Sequence, residues 1–492
     1  MKIKIEQKFL NWYIPIGLII LNFILKIIYL NVNDIASDEP FSIYYAQMDI
    51  STIITELSKG NNPPFFEILL HYWIKLFGIS KFSVRFLPFL FNVAAVYFIY
   101  KIGLTFFNSK IAVLSGLLFT FSNYLLIFAQ EARVYSLLAL LACVSMYAFL
   151  HLIKNNKSKL YLSVLIISNV LLGYAHYFGL FVIIIQLFCC LVFKDIRKQV
   201  LKHYLIATIA LIILYSPNIK VVITRFMVSA GEGTHVAPIG FDEAFFMFKR
   251  FCNSLLANHI FVLIFIIALI KRFFKKFETT PAYNKVAFTW FLFPFLFMFF
   301  ISYKHSPYPI PMFVDRYVIY LVPGFYISLA ICTYEIFRNI KFGTIFMSVP
   351  VLLMLFYFNP NMYKCRTIPG AMDKIKELQA TPSVMYICPG WADLNFVYYY
   401  DINIFKIADV PLMHNALGQN QIYPILNAVE IDVAKIKQVE QVIYIDANAD
   451  FGCIRNGIIP HLENSGFYQA DSVLYYGTAY IRVFKKKDKE IS

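Results

Sequence analysis

The 492-residue chain is 59% hydrophobic and only 15% charged, whereas soluble domains run nearer a quarter charged, so an ordinary soluble globular protein is excluded. Its formal net charge of +15 would suit a nucleic-acid binder. The basic residues stand in short clusters between long apolar runs, however, which is the pattern of loop charge in a membrane protein, and no nucleic-acid partner is expected.

A helix needs about 20 apolar residues to cross the hydrocarbon core. In chain order the candidate spans are 11–30, 83–100, 111–128, 134–153, 160–174, 178–193, 204–219, 256–270, 286–302, 317–333 and 342–358. The predicted fold class is therefore a polytopic α-helical membrane protein with about eleven transmembrane helices. The first span follows a few lysines, as in a signal peptide, but it is long and lacks a small-residue cleavage site, so it is read as a retained helix. The 51 Phe and 34 Tyr suit lipid-facing helices with aromatic belts at the headgroups.

The connections test this threading. Taking alternate connections, one set holds 19 Lys and Arg and the other holds 10 spread over about twice as many positions. By the positive-inside rule the N-terminus is cytoplasmic, and an odd number of spans puts the tail outside the cytoplasmic membrane. The first outer loop, 31–82, carries apolar positions at helical spacing over 50–59 and 65–77, with Pro63-Pro64 breaking the chain between them. Such short amphipathic helices suit the membrane interface.

From about 359 the apolar runs shorten to strand length, as in Ser383–Cys388 and Gln441–Asp446. Helical patterns alternate with them at Ala371–Gln379 and Ala428–Lys437, and Phe467–Phe484 reads as a closing hairpin. The expected organisation is a transmembrane domain over 1–358 and a small extracytoplasmic α/β domain over 359–492. Of the eight cysteines, Cys143, Cys189, Cys190, Cys252 and Cys332 sit in or beside apolar runs and Cys365, Cys388 and Cys453 in the tail, without metal-ligand spacing. The tail's compartment leaves a Cys388–Cys453 disulfide open.

Five short motifs fall on connections that the threading places on the outer side. Asp38-Glu39 follows the first span; two carboxylates near a bilayer are costly unless solvated, paired or bound to a cation. Asn61-Asn62-Pro63-Pro64 precedes an aromatic stretch containing Glu67, His71 and Trp73. Gln130-Glu131-Ala132-Arg133-Val134-Tyr135 holds the only Asp, Glu, Lys or Arg residues between Lys110 and Lys154, and a guanidinium at headgroup depth suits a lipid phosphate. His176 stands in Tyr174–Phe178, where an aromatic-flanked histidine is most often structural. Asp315-Arg316-Tyr317 ends a Pro-rich loop, with Asp315 either neutralising Arg316 or leaving it for an anion. Acids for acceptor activation and bases for a phosphate leaving group at one membrane face describe group transfer from a phosphorylated lipid.

These residues, in this order, resemble the GT-C glycosyltransferases of the protein O-mannosyltransferase type, glycosyltransferase family 39, whose bacterial relatives include the lipid A aminoarabinose transferases. The resemblance covers about residues 10–335 and rests on Asp38-Glu39, Asn62-Pro63-Pro64, Gln130–Tyr135, His176-Tyr177-Phe178 and Arg316-Tyr317. Asn62 departs from it, since the family usually has His there. The resemblance implies a polyprenyl-phosphate-linked hexose or pentose as donor and inversion at the anomeric carbon. Asp38 would be the general base, with Glu39 orienting the acceptor or a neighbouring base. Arg133, His176 and Arg316 would bind the donor phosphate, with Asn62, Pro63, Glu131, Tyr135 and Tyr317 in support. The acceptor could be a lipid, a glycan or a protein, and a divalent cation on the carboxylates is left open. The rival reading is a lipid or polysaccharide-precursor transporter, against which stands the lack of internal repeats.

Overall fold

The computed structural model describes residues 7–60, 62–232, 237–274, 281–307, 310–362, 368–447, 453, 456–476 and 479–487. Asn61 and Cys365, named above, lie outside them. The chain divides into two compact units: residues 1–30, 51–73 and 82–362 form one, and residues 31–50, 74–81 and 363–492 form the other.

In the first unit, each of the eleven apolar stretches is helical. Among the described residues, seven helices are long and apolar enough to cross a membrane: Phe9–Ile27, Lys81–Phe106, Tyr135–Lys154, Lys194–Arg225, Leu255–Phe274, Ala282–Ser302 and Asp315–Phe337. An eighth counts if the pair Ser109–Thr120 and Asn123–Ala129, bent by 59°, is one span, and Lys159–Ala175, Tyr177–Val192 and Gly343–Phe356 are shorter apolar helices. The chain is thus a multi-pass membrane protein, built of helices because lipid offers the backbone no hydrogen-bond partner.

The bent pair shows how that constraint is met where a helix breaks. The freed carbonyl of Phe121 accepts from Asn253 Nδ2 (2.7 Å), and the Phe119 carbonyl, which accepts the Ser122 N–H at 3.4 Å, lies 3.5 Å from Lys26 Nζ. Ser122 restarts the helix by accepting the Leu125 N–H, and its own hydroxyl accepts from Tyr326 at 2.7 Å. Lys26, fully buried, donates to Asn92 Oδ1 at 2.9 Å.

A second polar knot joins three helices. Ser145 Oγ donates to Asn169 Oδ1 (2.6 Å), Asn169 Nδ2 to Gln186 Oε1 (3.0 Å), and Gln186 Nε2 back to Ser145 Oγ (2.6 Å). All three side chains are buried, so the ring closes with each member both donor and acceptor. Gln186→Leu is expected to destabilise the protein by about 0.6–2 kcal/mol, because it strips partners from two buried polar groups. Thermal unfolding in detergent measures it, and an unchanged midpoint would show that the ring contributes nothing.

The second unit contains a five-stranded mixed sheet of order β2-β1-β3-β5-β4, formed by β1 (Ser383–Cys388), β2 (Ile422–Pro424), β3 (Gln441–Asp446), β4 (Phe467–Tyr476) and β5 (Ala479–Lys486). β1 runs parallel to β2 and β3 with Ser383 opposite Gln441, while β3–β5 and β5–β4 are antiparallel. The central strands are near-continuous apolar runs because both faces are covered. Helices Ile368–Leu378, Asp393–Tyr400, Val410–Gln419, Val433–Gln438 and Ile458–Asn464 alternate with the strands along the chain, which makes this the small α/β domain expected. Cys388 and Cys453 are free thiols packed in the same core cluster. Burial, and then the neighbouring Cys453, push the Cys388 thiol up to about 12.

Residues 31–50, from the first outer loop, belong to this unit. Their helix Glu39–Tyr45 packs on Asp393–Tyr400.

Candidate functional site

In the first unit, three connections bring the basic motif residues together. Arg133 follows the bent pair and precedes the helix Tyr135–Lys154. His176 joins Lys159–Ala175 to the 3-10 turn Tyr177–Gly179, and Arg316 and Tyr317 lie on the 3-10 helix Asp315–Leu321. The His176 ring stands 6.1 Å from that of Tyr135 and 5.7 Å from that of Tyr317. Phe178 stacks on Tyr317 at 4.6 Å. The guanidiniums lie over aromatic rings, Arg133 at 5.9 Å from Tyr135 and Arg316 at 5.4 Å from Tyr317, so aromatic faces support both charges.

His176 is buried. Desolvation first, then the charges of Arg133 and Arg316, push its pKa down to about 3 from 6.5, so the imidazole is neutral at physiological pH. Its Nδ1 accepts the Phe178 N–H at 3.1 Å. That assigns the remaining proton to Nε2, leaving it a donor. Because the folded pKa is depressed, the unfolded chain binds the extra proton between about pH 6.5 and 3, and stability falls as pH falls through that window. His176→Gln is expected to flatten this part of a plot of melting midpoint against pH. A slope identical to that of the parent would show that His176 does not titrate in this way.

Asp315 takes a different arginine as its side-chain partner. Its carboxylate forms an ion pair with Arg250, and its Oδ1 accepts the backbone N–H of Arg316 at 2.7 Å. The Tyr124 hydroxyl donates to the Asp315 carbonyl. Arg250 and Tyr124 therefore hold the turn that presents Arg316, and neither stood out in the sequence. Glu131 closes the other turn, its carbonyl accepting the Arg133 N–H at 2.7 Å. Gln130 anchors that turn through Nε2, which donates to the Lys26 carbonyl at 3.0 Å.

Asn62 is half-buried and Pro63 buried, just ahead of the helix Phe65–Phe77, on which Glu67 and His71 are buried one turn apart. Arg225, a further basic residue of this unit, donates from Nε to the Ser58 carbonyl at 3.2 Å.

The acidic pair lies in the second unit. Asp38 is the residue before the helix Glu39–Tyr45, half-buried, and its side chain makes no capping bond to that helix. Glu39 is buried and its Oε2 accepts the Ala36 N–H at 3.3 Å. Asp34, missed in the sequence, is buried four residues earlier and pairs with Lys81 at 3.1 Å. Among the described residues no group of three or more His, Cys, Asp or Glu side chains could hold a metal ion.

Residues 61–219 match the family model of dolichyl-phosphate-mannose-protein mannosyltransferases. No curated protein matches the chain in sequence. Among solved structures it is similar to ArnT from Cupriavidus metallidurans in the apo state, at 10% identity and a TM-score of 0.58, covering 95% of this chain and 97% of that one. The same values hold for ArnT bound to undecaprenyl phosphate. It is also similar to the archaeal oligosaccharyltransferase AglB from Archaeoglobus fulgidus, in complex with an inhibitory peptide and a dolichol-phosphate, at 10% identity and a TM-score of 0.51, over 98% of this chain and 75% of that one. At such identities the likeness is one of fold. The chain has the fold of the GT-C glycosyltransferases that its motifs resemble.

Proposed function

We propose that this protein is a membrane glycosyltransferase that moves a hexose or pentose from a polyprenyl-phosphate donor to a hydroxyl of a lipid, glycan or protein acceptor, on the outer face of the cytoplasmic membrane. The observation that carries the reading is the cluster of Arg133, neutral His176 and Arg316, backed by aromatic rings. Two guanidiniums and an Nε2–H donor suit a phosphate monoester that gains charge as it departs. The undecaprenyl phosphate and dolichol-phosphate complexes of similar structures support the same donor class.

In this mechanism Asp38 takes the proton from the acceptor hydroxyl as its oxygen attacks the anomeric carbon. The bond from that carbon to the phosphate oxygen breaks, and its electron pair leaves on the polyprenyl phosphate beside Arg133 and Arg316. A single displacement of this kind inverts the anomeric centre. Glu39, held by the Ala36 N–H, orients the segment that presents Asp38. The clustering of lysine and arginine in alternate connections supports a cytoplasmic N-terminus and an outward-facing tail.

Purified protein in lipid nanodiscs, given a panel of radiolabelled polyprenyl-phosphate sugars and a membrane extract as acceptor source, is expected to release polyprenyl phosphate and label an acceptor. Movement of the lipid-linked sugar across vesicles without transfer would overturn the reading in favour of a transporter.

A further inference from the structure

The chain just ahead of Asp38 is gripped by the α/β unit through its backbone. The Ile35 N–H donates to the Tyr399 hydroxyl oxygen at 2.5 Å, and Asn395 Nδ2 donates to the Ser37 carbonyl at 3.0 Å. Asn395 and Tyr399 are four residues apart on the helix Asp393–Tyr400, hence neighbours on one face. That face holds two points of the segment, Ile35 and Ser37, and between them the Ala36 N–H is taken by Glu39. Ser37 has φ of 58°, a left-handed conformation uncommon for a residue with a side chain, which surrounding contacts must sustain.

Further bonds hold the segment on both sides. Before it, the Asp34 carboxylate accepts the Ile368 N–H (3.3 Å) and pairs with Lys81. After it, the Tyr44 hydroxyl donates to the Ile407 carbonyl (2.8 Å) while its ring packs 5.5 Å from Phe405. The segment is thus ordered by residues more than 300 positions away.

We propose that Asn395 and Tyr399 are positioning residues for Asp38, so that the C-terminal α/β unit is a working part of the catalytic apparatus and not an appended domain. The inference rests on the reading of Asp38 as the base. Turning Ser37 out of its left-handed conformation would re-aim the Asp38 carboxylate, and displacements of about 1 Å can cost about 100-fold in rate.

Tyr399→Phe keeps the ring and removes the acceptor for Ile35; Asn395→Ala removes the donor to Ser37. With the full chain in nanodiscs, each is expected to lower kcat by about 10-fold and the pair by about 100-fold, with the donor KM unchanged. Asn395→Gln, which retains an amide donor, is expected to recover part of the loss. An unchanged kcat, or a loss expressed wholly in KM, overturns the inference. Hydrogen exchange supplies the independent arm: amides of residues 33–47 are expected to exchange about 10-fold faster in Tyr399→Phe, and unchanged protection overturns the clamp whatever the activity. Should the parent protein transfer no sugar from any polyprenyl donor, the glycosyltransferase reading fails, and exchange still decides whether the clamp exists.

Discussion

Asp38→Asn is expected to lower sugar transfer by about 10²–10⁴-fold, the range for loss of a general acid or base. Asn nearly matches Asp in shape but cannot take the acceptor's proton. Asn also keeps the size of the side chain, and the helix that follows takes no side-chain cap from Asp38. The loss should appear in kcat, since the proton moves only as the reaction proceeds. Glu39→Gln is the informative companion. Glu39 is buried and accepts the Ala36 N–H, a bond that a Gln carbonyl oxygen can still accept, so its cost should be about 10-fold or less. Initial rates with a radiolabelled donor, beside thermal melts of each variant, check both. Near-parental turnover in a folded Asp38→Asn protein would remove Asp38 from the role of base, as would a larger loss in Glu39→Gln than in Asp38→Asn.

The parts legible in the sequence were those with local signals. Strands Ser383–Cys388 and Gln441–Asp446 lie at the expected residues because a short β-branched apolar run bounded by polar residues has few other homes. The helices at Ile50–Ser58 and Phe65–Phe77 were likewise visible from apolar spacing and the Pro63-Pro64 break. The stretch 111–128 read as one span because hydropathy averages over the bend at Phe121-Ser122; the only local hint was a capping Ser before Asn123.

Partnerships across long separations left no such trace. Arg250 and Asp315 are 65 residues apart, and Ile35 and Tyr399 are 364 apart. No periodicity records which arginine an aspartate will choose. Hence the sequence could offer Arg316 as a phosphate ligand while leaving its neighbour Asp315 undecided. The basic half of the proposed site was legible as motifs, and the structure adds that the Tyr135 and Tyr317 rings beside Arg133 and Arg316 both stand near the His176 ring.

Arg133→Ala and Arg316→Ala are each expected to reduce transfer by about 10²–10³-fold, the scale for removing one donor that stabilises developing charge. Arg133→Lys and Arg316→Lys should recover only part of this. Lysine keeps the charge but loses the planar fork that grips two phosphate oxygens and lies flat over Tyr135 or Tyr317. The double variant separates one shared phosphate from two independent targets. If both guanidiniums grip the same leaving group, the double loss falls well short of the product of the single losses, because the second removal acts on a site already impaired. If each serves a different group, the losses multiply. Ring geometry argues for the shared target: the Tyr135 and Tyr317 rings, over which the two guanidiniums lie, stand 6.1 Å and 5.7 Å from the one His176 ring. Inhibition by free polyprenyl phosphate gives the matching binding measurement, expected to weaken in both single variants. If transfer and inhibition are unchanged in either one, that arginine is not a phosphate ligand.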